Sequence, residues 1–477
     1  MEIAKNYIYN MLYQIVTLII PLITVPYVSR VLGKEGVGTN SYTLSIVQYF
    51  VLFGMMGITL YGNRVIATVR ENKKKLSEDF FSIYCLQLFM CTLASIGYIV
   101  FTIYFVEEDR YIYLIQSLYL IAAAVDISWL FMGLEQFKKT VTRNTIIKII
   151  GLVLAFVFVK KSSDLWIYVL ILGSTAILGQ AIMWFYLKST VSLVKINIKM
   201  IRSHFIPCLS LFIPQIAIQI YVLLNKTMIG SIATKGDVGI YENSDKIVKM
   251  TLAIVTSLGT VMLPRISNTF AKGNLKKVSY YIIQSLNFVS LLSIAIMFGL
   301  AGIAKEFVPW FFGKEFLQCT NNIIIISPIV FFIAWSNVLG IQYLVPTGKN
   351  KAFTLSVTFG AIVNIILNVF FIRLYKSFGA SISTVISEAV VTTVQVIIIR
   401  KEVNIFKTLS EIIKYFISGV IMFVAIRIIG NKLGSGMVTT IVQIIAGSFV
   451  YITCIISLKS KLISRLFVII KDKTDVA

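Results

Sequence analysis

Charge is what this sequence has least of. Only 14% of its 477 residues are Asp, Glu, Lys or Arg, against about 25% in an ordinary soluble chain. Hydrophobic residues make up 57%, too much to hide in a water-soluble fold. Acid is scarcer than base: 21 Asp and Glu stand against 44 Lys and Arg, a net charge of +23. Histidine occurs once, as His204, so imidazole-based catalysis and metal binding have almost no material. The five cysteines (Cys85, Cys91, Cys208, Cys319 and Cys454) show no metal-ligand spacing and lie in or beside apolar runs. They read as small buried hydrophobes. No metal and no cofactor is expected. The start, "MEIAKNYIYNMLYQIV", lacks a basic region followed by a small-residue cleavage site, so it reads as a retained first helix and not a signal peptide.

What the chain does have is long apolar runs, many near the roughly 20 residues that cross a bilayer as helix. Only helices and closed barrels satisfy their backbone in lipid. A barrel would alternate in ten-residue segments, whereas runs such as "LLSIAIMFGLAGIA" (291–304) are unbroken. The fold class is therefore an all-α integral membrane protein. Fourteen spans are predicted, near 8–29, 41–62, 80–105, 111–133, 144–159, 165–187, 207–230, 243–263, 279–304, 320–345, 352–372, 378–400, 411–429 and 437–458. With the N-terminus inside, roughly 28 basic residues fall inside and about 15 outside, which favours cytoplasmic N- and C-termini. The positive charge is then topology, and no nucleic acid partner is expected.

The halves resemble each other. "VGTNSY" at Val37 returns as "VGIYEN" at Val238, 201 residues on. The same offset aligns Ile46 with Ile247, Thr59 with Thr260, Arg64 with Arg265 and Lys75 with Lys276 without a gap. Six spans per half means both halves enter the membrane in one direction, as parallel repeats. The predicted domains are a six-helix bundle over 1–203, a second over 204–405, and two additional helices with a basic tail over 406–477. Two similar bundles that rock about a central site are a transporter arrangement.

Ionisable residues inside a membrane are functional candidates. In the fourth span, Tyr119, Ala122, Ala123, Asp126, Trp129 and Gly133 share a helical face. In the seventh, Gln215, Gln219 and Lys226 do. In the eighth, Glu242–Lys246 and Asp245–Lys249 stand at i,i+4. The twelfth carries Ser381, Thr384, Glu388 and Thr392. Such stripes suit a water-filled cavity between the bundles. Helix–helix hydrogen bonding is the alternative for the uncharged residues. Outward snorkelling is the alternative for Lys226, Lys246 and Lys249, and a structural ion pair or helix-end bond for Asp126 and Glu388. Cavity cations suit an anionic solute such as a diphosphate, and the Tyr, Trp, Asn and Gln around them suit sugars. Pro21 and Pro26 in the first span, and Pro207 and Pro214 in the seventh, interrupt the same helix of each half.

These residues carry a resemblance. "DISWLFMGLEQF" (126–137) resembles the Asp-x-x-Trp-x-Phe-x-Gly-x-Glu segment of polysaccharide repeat-unit flippases, the Wzx type. "RVLGKEGVGTNSY" (30–42) is similar to that family's first external loop. "LNKTMIG" (224–230), "VGIYENSDKI" (238–247), "VMLPRISNTFAKGN" (261–274), "NIILN" (364–368) and "GASISTVISE" (379–388) resemble its later segments. The family belongs to a wider group that includes multidrug and toxin extrusion carriers. The resemblance implies two six-helix bundles plus two helices, alternating access, and a glycan on undecaprenyl diphosphate moved from the inner to the outer leaflet of the bacterial cytoplasmic membrane. Polysaccharide assembly proteins such as a glycan polymerase are the implied partners, beside membrane lipid.

On this reading Arg30, Lys226, Lys246 and Lys249 attract the diphosphate or acidic sugars. Asp126, Trp129, Gln215 and Gln219 contact the glycan. Arg64 and Arg265 sit at the cytoplasmic mouth of each bundle, and Asp126 and Glu388 are candidates for coupling to H+ or Na+. Family members often have Asp where this chain has Asn225, which removes one acidic group from any coupling site there. The competing readings are a cation-coupled multidrug antiporter of the same architecture and a membrane glycan polymerase or ligase. The last usually needs a large external loop that this chain lacks.

Overall fold

A computed structural model describes residues 2–460, with side chains from Ile19 onward except at 137, 213–215, 217, 218, 220, 221, 260 and 261. Its regular elements are helices throughout. In chain order they are α1 (Glu2–Met55), α2 (Ile58–Val69), α3 (Lys73–Phe105), α4 (Arg110–Gln116), α5 (Leu118–Ala124), α6 (Ser128–Gly133), α7 (Phe137–Phe158), α8 (Leu165–Phe185) and α9 (Ile198–Ile232). There follow α10 (Lys235–Ala271), α11 (Leu275–Phe311), α12 (Cys319–Ile326), α13 (Ile329–Ser336), a π-helix (Asn337–Leu344), α14 (Asn350–Tyr375), α15 (Ser377–Ile399), α16 (Leu409–Leu433) and α17 (Met437–Ser457). Twelve stretches among the described residues are long and apolar enough to cross a membrane. Fourteen were expected; the first of the twelve, Ile19–Val69, carries a break at Gly33.

Three local expectations are corrected. The segment 30–42, similar to an external loop, is helix on both sides of a single break at Gly33, where φ is 67° and ψ 179°. Glycine has no Cβ to oppose that backbone, so one residue ends a helix and starts the next without a loop. The fourth span is not one helix either: α5 stops at Ala124 and α6 begins at Ser128. The tenth span breaks likewise, between α12 and α13 at Ser327 and Pro328. The offset of 201 carries Asp126 and Ile127 onto this pair, so the internal copy extends to the position of a helix break. A similar cap lies one residue out of that offset, at Asn72 and Asn274. Asn72 accepts from the Lys75 N–H at 3.1 Å and Asn274 from the Lys277 N–H at 3.0 Å, each starting the third helix of its half.

Contacts divide the chain into two units, Met1–Ser231 and Ile232–Ala477. The core of the first gathers Ile66, Phe80, Ile83, Ile127, Trp129 and Phe131 from α2, α3 and the broken fourth span. Helix α9 falls with this unit. Its Thr227 hydroxyl lies 3.2 Å from that of Ser45 and 3.1 Å from that of Tyr49. In the second unit, α16 and α17 dock on α11 through Ile294, Tyr415, Met422, Ile426 and Tyr451. A buried polar contact lies within this interface. Arg427 donates to Glu306 at 2.7 Å and to the Gly302 carbonyl at 3.1 Å, and Gln443 donates to the same carboxylate at 3.1 Å.

Candidate functional site

The break in the fourth span explains Asp126. Its Oδ1 accepts the backbone N–H of Ser128 at 2.8 Å, which satisfies a donor that α6 leaves open at its start. The carbonyls freed where α5 ends are met from outside: Gln87 of α3 donates to Ala123 O at 2.7 Å and Asp126 O at 2.8 Å, and Trp184 donates to Val125 O at 2.9 Å. Trp129 closes the set by donating its indole N–H to Gln87 at 3.0 Å. Its ring is wholly buried against Phe80 and lies so close to α2 that a Cβ on Gly62 would come within 2.5 Å of it. Trp129 therefore presents no surface to a sugar in this structure. The continuous face from Tyr119 to Gly133 is also lost, because the break turns α6 out of register with α5.

A second polar group forms where α2 meets α9. Arg64 lines a cavity of about 300 Å³ with Tyr61, Thr68, Pro207 and Ser210. No acidic side chain is among its lining residues. Tyr61 reaches past the cavity to His204 Nδ1 at 2.8 Å, and His204 Nε2 lies 3.8 Å from Asp79 on α3. Thr68 and Ser210 donate their hydroxyl protons to the Val65 and Pro207 carbonyls and Tyr61 is paired with His204, so in this lining without carboxylate the Arg64 guanidinium is the group suited to an anion. Of these residues Arg64 and Pro207 follow from the sequence reading. A lone histidine at the start of an apolar run is the signal that leads to the others.

In the second unit the eighth-span stripe folds as its spacing predicts. Lys246 Nζ lies 3.3 Å from Glu242, and Lys249 Nζ 2.8 Å from Asp245. The carboxylates are the more buried partners, and the lysine side chains are 40% and 43% exposed. The face is thus paired rather than purely cationic, and an anionic ligand has to compete with two carboxylates for it. Tyr241 on the same helix shares a hydrogen bond of 3.1 Å with Thr384 of α15, one turn from the buried Glu388. Asn368 donates to Asn364 at 3.0 Å, which holds that amide pair within α14.

The remaining candidates are dispersed. Arg30 is exposed in the last turn before Gly33, Lys226 is half-buried beside buried Asn225, and Gln219 is exposed. The side chain of Gln215 lies outside the described residues. Arg265, the copy of Arg64, rests its guanidinium on the Tyr281 ring at 4.7 Å, so the two arginines have different surroundings.

The sequence pattern of the family described as "Polysaccharide biosynthesis protein" matches residues 3–270, more than half of the chain. The chain belongs to that family. It is 24% identical over 404 residues to "Putative O-antigen transporter" of Escherichia coli (strain K12), which covers 84% of this chain and 97% of the relative. It is 26% identical over 295 residues, 61% of each chain, to "Probable low-salt glycan biosynthesis flippase Agl15" of Haloferax volcanii. In fold it is similar to lipid II flippase MurJ in an inward closed conformation, with a TM-score of 0.69 and 18% identity over 96% of this chain and 100% of that one. It is thus a multi-pass membrane protein with the flippase fold.

Proposed function

We propose that this protein moves oligosaccharide repeat units linked to undecaprenyl diphosphate from the inner to the outer leaflet of a bacterial cytoplasmic membrane, by alternating access, for surface polysaccharide synthesis. The observation that carries this reading is the near-full-length match to an O-antigen transporter, which covers 97% of that relative. The geometry supports it through the Arg64 cavity, where a guanidinium stands without a carboxylate among the lining residues. Arg30, Lys226, Lys246 and Lys249 draw in the diphosphate or acidic sugars, and Arg64 and Arg265 serve the cytoplasmic mouths. Asp126, Gln215 and Gln219 serve the glycan, while Trp129 holds the break of the fourth span through Gln87. H+ or Na+ drives the cycle through Asp126 or Glu388, and the glycan passes to a polymerase in the outer leaflet.

Deletion of the gene tests the substrate. A lipid-linked oligosaccharide should accumulate while surface polysaccharide disappears. Normal polysaccharide together with drug hypersensitivity would favour an antiporter instead. Complementation with Arg30, Lys226 and Lys246 all changed to Ala should fail although the protein reaches the membrane. Normal export by that variant would sink the assignment of these cations.

A further inference from the structure

The segment that joins α8 to α9 is basic and irregular, with apolar side chains in the open. No Asp or Glu occurs anywhere between Asp164 and Asp237, yet this stretch carries Lys188, Lys195, Lys199 and Arg202 around the connection itself. Residues 191–197 have no regular structure. Apolar side chains beside these cations stand in the open: Phe185 is 84% exposed, Leu193 94% and Ile198 82%. The chain is nonetheless anchored. Val191 is buried in the core of the first unit, and the Ser192 N–H donates to Ser77 of α3 at 3.0 Å. At its start, the Tyr186 ring carries the Lys139 ammonium 4.8 Å from its centroid.

We infer that the α8–α9 connector is a membrane-surface anchor that binds anionic lipid headgroups, with Leu193 and Ile198 inserted among the upper acyl carbons. The depth fits. The stretch Ser162–Ser189 is long and apolar enough to span the bilayer, so its end lies at headgroup level, where an aromatic ring such as Tyr186 belongs. The chemistry fits as well. Exposed aliphatic groups gain by leaving water for the acyl boundary, and the adjacent ammonium groups then stand opposite lipid phosphates. Water alone rewards neither feature. The connector's own stretch also supplies no carboxylate that would repel an anionic surface. This inference is independent of what the protein transports.

The full-length protein in lipid nanodiscs provides the test, with Leu193→Cys carrying a fluorophore and brominated lipids as quenchers. Brominated phosphatidylglycerol in a phosphatidylcholine bilayer should quench the label more than the same fraction of brominated phosphatidylcholine does. The local preference should fall roughly fivefold for each cation removed. Lys188, Lys195, Lys199 and Arg202 changed together to Gln should therefore equalise the two lipids. High salt should do the same without any substitution, by screening the headgroups. Equal quenching by both lipids at low salt would overturn the inference. So would a label that stays in water in both bilayers and is shielded only in native membranes, which would give the surface to a protein.

Discussion

Trp129 and Gln87 hold each other in place: the indole N–H of Trp129 donates to the Gln87 carbonyl oxygen at 3.0 Å, while the Gln87 amide donates to Ala123 O and Asp126 O. One side chain on α3 thus replaces the backbone bonds lost at the break of the fourth span. Both residues are fully buried. Gln87→Leu leaves an indole donor and two carbonyls without it. At about 1–3 kcal/mol per buried group left unsatisfied, a loss of about 3 kcal/mol is expected. Trp129→Phe removes a single donor and some volume, for about 1–2 kcal/mol. Thermal unfolding in detergent should rank wild type above Trp129→Phe and that above Gln87→Leu. Export by Trp129→Phe should be intact once protein levels are matched. Lost export at an unchanged unfolding temperature would return Trp129 to the glycan-contacting set.

The dock of the last two helices rests on a charge pair whose carboxylate is 4% exposed. Arg427→Met strands Glu306 in a low-dielectric interface, and breaking a buried pair from one side costs about 3–5 kcal/mol. The lower end is expected because the guanidinium is partly exposed. Adding Glu306→Gln should restore most of the stability, since a neutral amide can still meet Gln443 and has no charge to strand. Unfolding temperatures of the single and double variants decide the matter. A double variant no better than Arg427→Met would show that the arginine acts through packing alone.

A second charge contact ties the connection after α15 to the end of the π-helix. Lys349 pairs with Glu402, and the Tyr343 hydroxyl donates to the same carboxylate at 2.6 Å. Those two donors, the lysine first, hold the Glu402 carboxyl below its ordinary value of 4.5. A lowered folded value means the contribution is complete above the ordinary value and is lost as pH falls through the folded one. Glu402 is substantially exposed, so the contribution is at most about 1 kcal/mol. The gap in unfolding temperature between wild type and Glu402→Gln should therefore be constant near neutrality and close in acid. A gap that persists below about pH 3 would rule out the charged pair as its source.

The spans, the repeat and the ion pairs of α10 were legible because each rests on short-range periodicity: apolar runs, an offset of constant length, an i,i+4 spacing. Even Lys246 and Lys249 came out paired as their spacing required. What stayed hidden depends on residues far apart in the chain. The apolar run through Ala122–Ala124 reads as uninterrupted helix, and the amide that compensates its break is 39 residues from Asp126. Glu306 and Arg427 are separated by 121 residues. Nothing local marks either as a partner of the other. Gly33 misled in the opposite sense. A glycine among Lys34, Glu35 and Gly36 has the composition of a loop, yet positive φ at one residue is enough to redirect a helix. Burial worked against the glycan assignment of Trp129 for a similar reason: face-sharing on an ideal helix has no meaning across a break.

Asp126 can now be tested as a cap against a charge. Its carboxylate stabilises the start of α6 through one bond to the Ser128 N–H. An asparagine keeps an oxygen acceptor at that place and loses only the charge, whereas an alanine loses both. Helix-start acceptors are typically worth about 1 kcal/mol. If capping is the whole role, Asp126→Asn should unfold and export like wild type, and Asp126→Ala should lose about 1 kcal/mol with export reduced only as far as protein level falls. If the carboxylate pairs with a basic group during transport or takes up the coupling proton, Asp126→Asn should abolish export at an unchanged unfolding temperature. Polysaccharide output normalised to membrane protein, set beside detergent unfolding curves for both variants, separates the two outcomes, because only the charge role lets stability survive while transport fails.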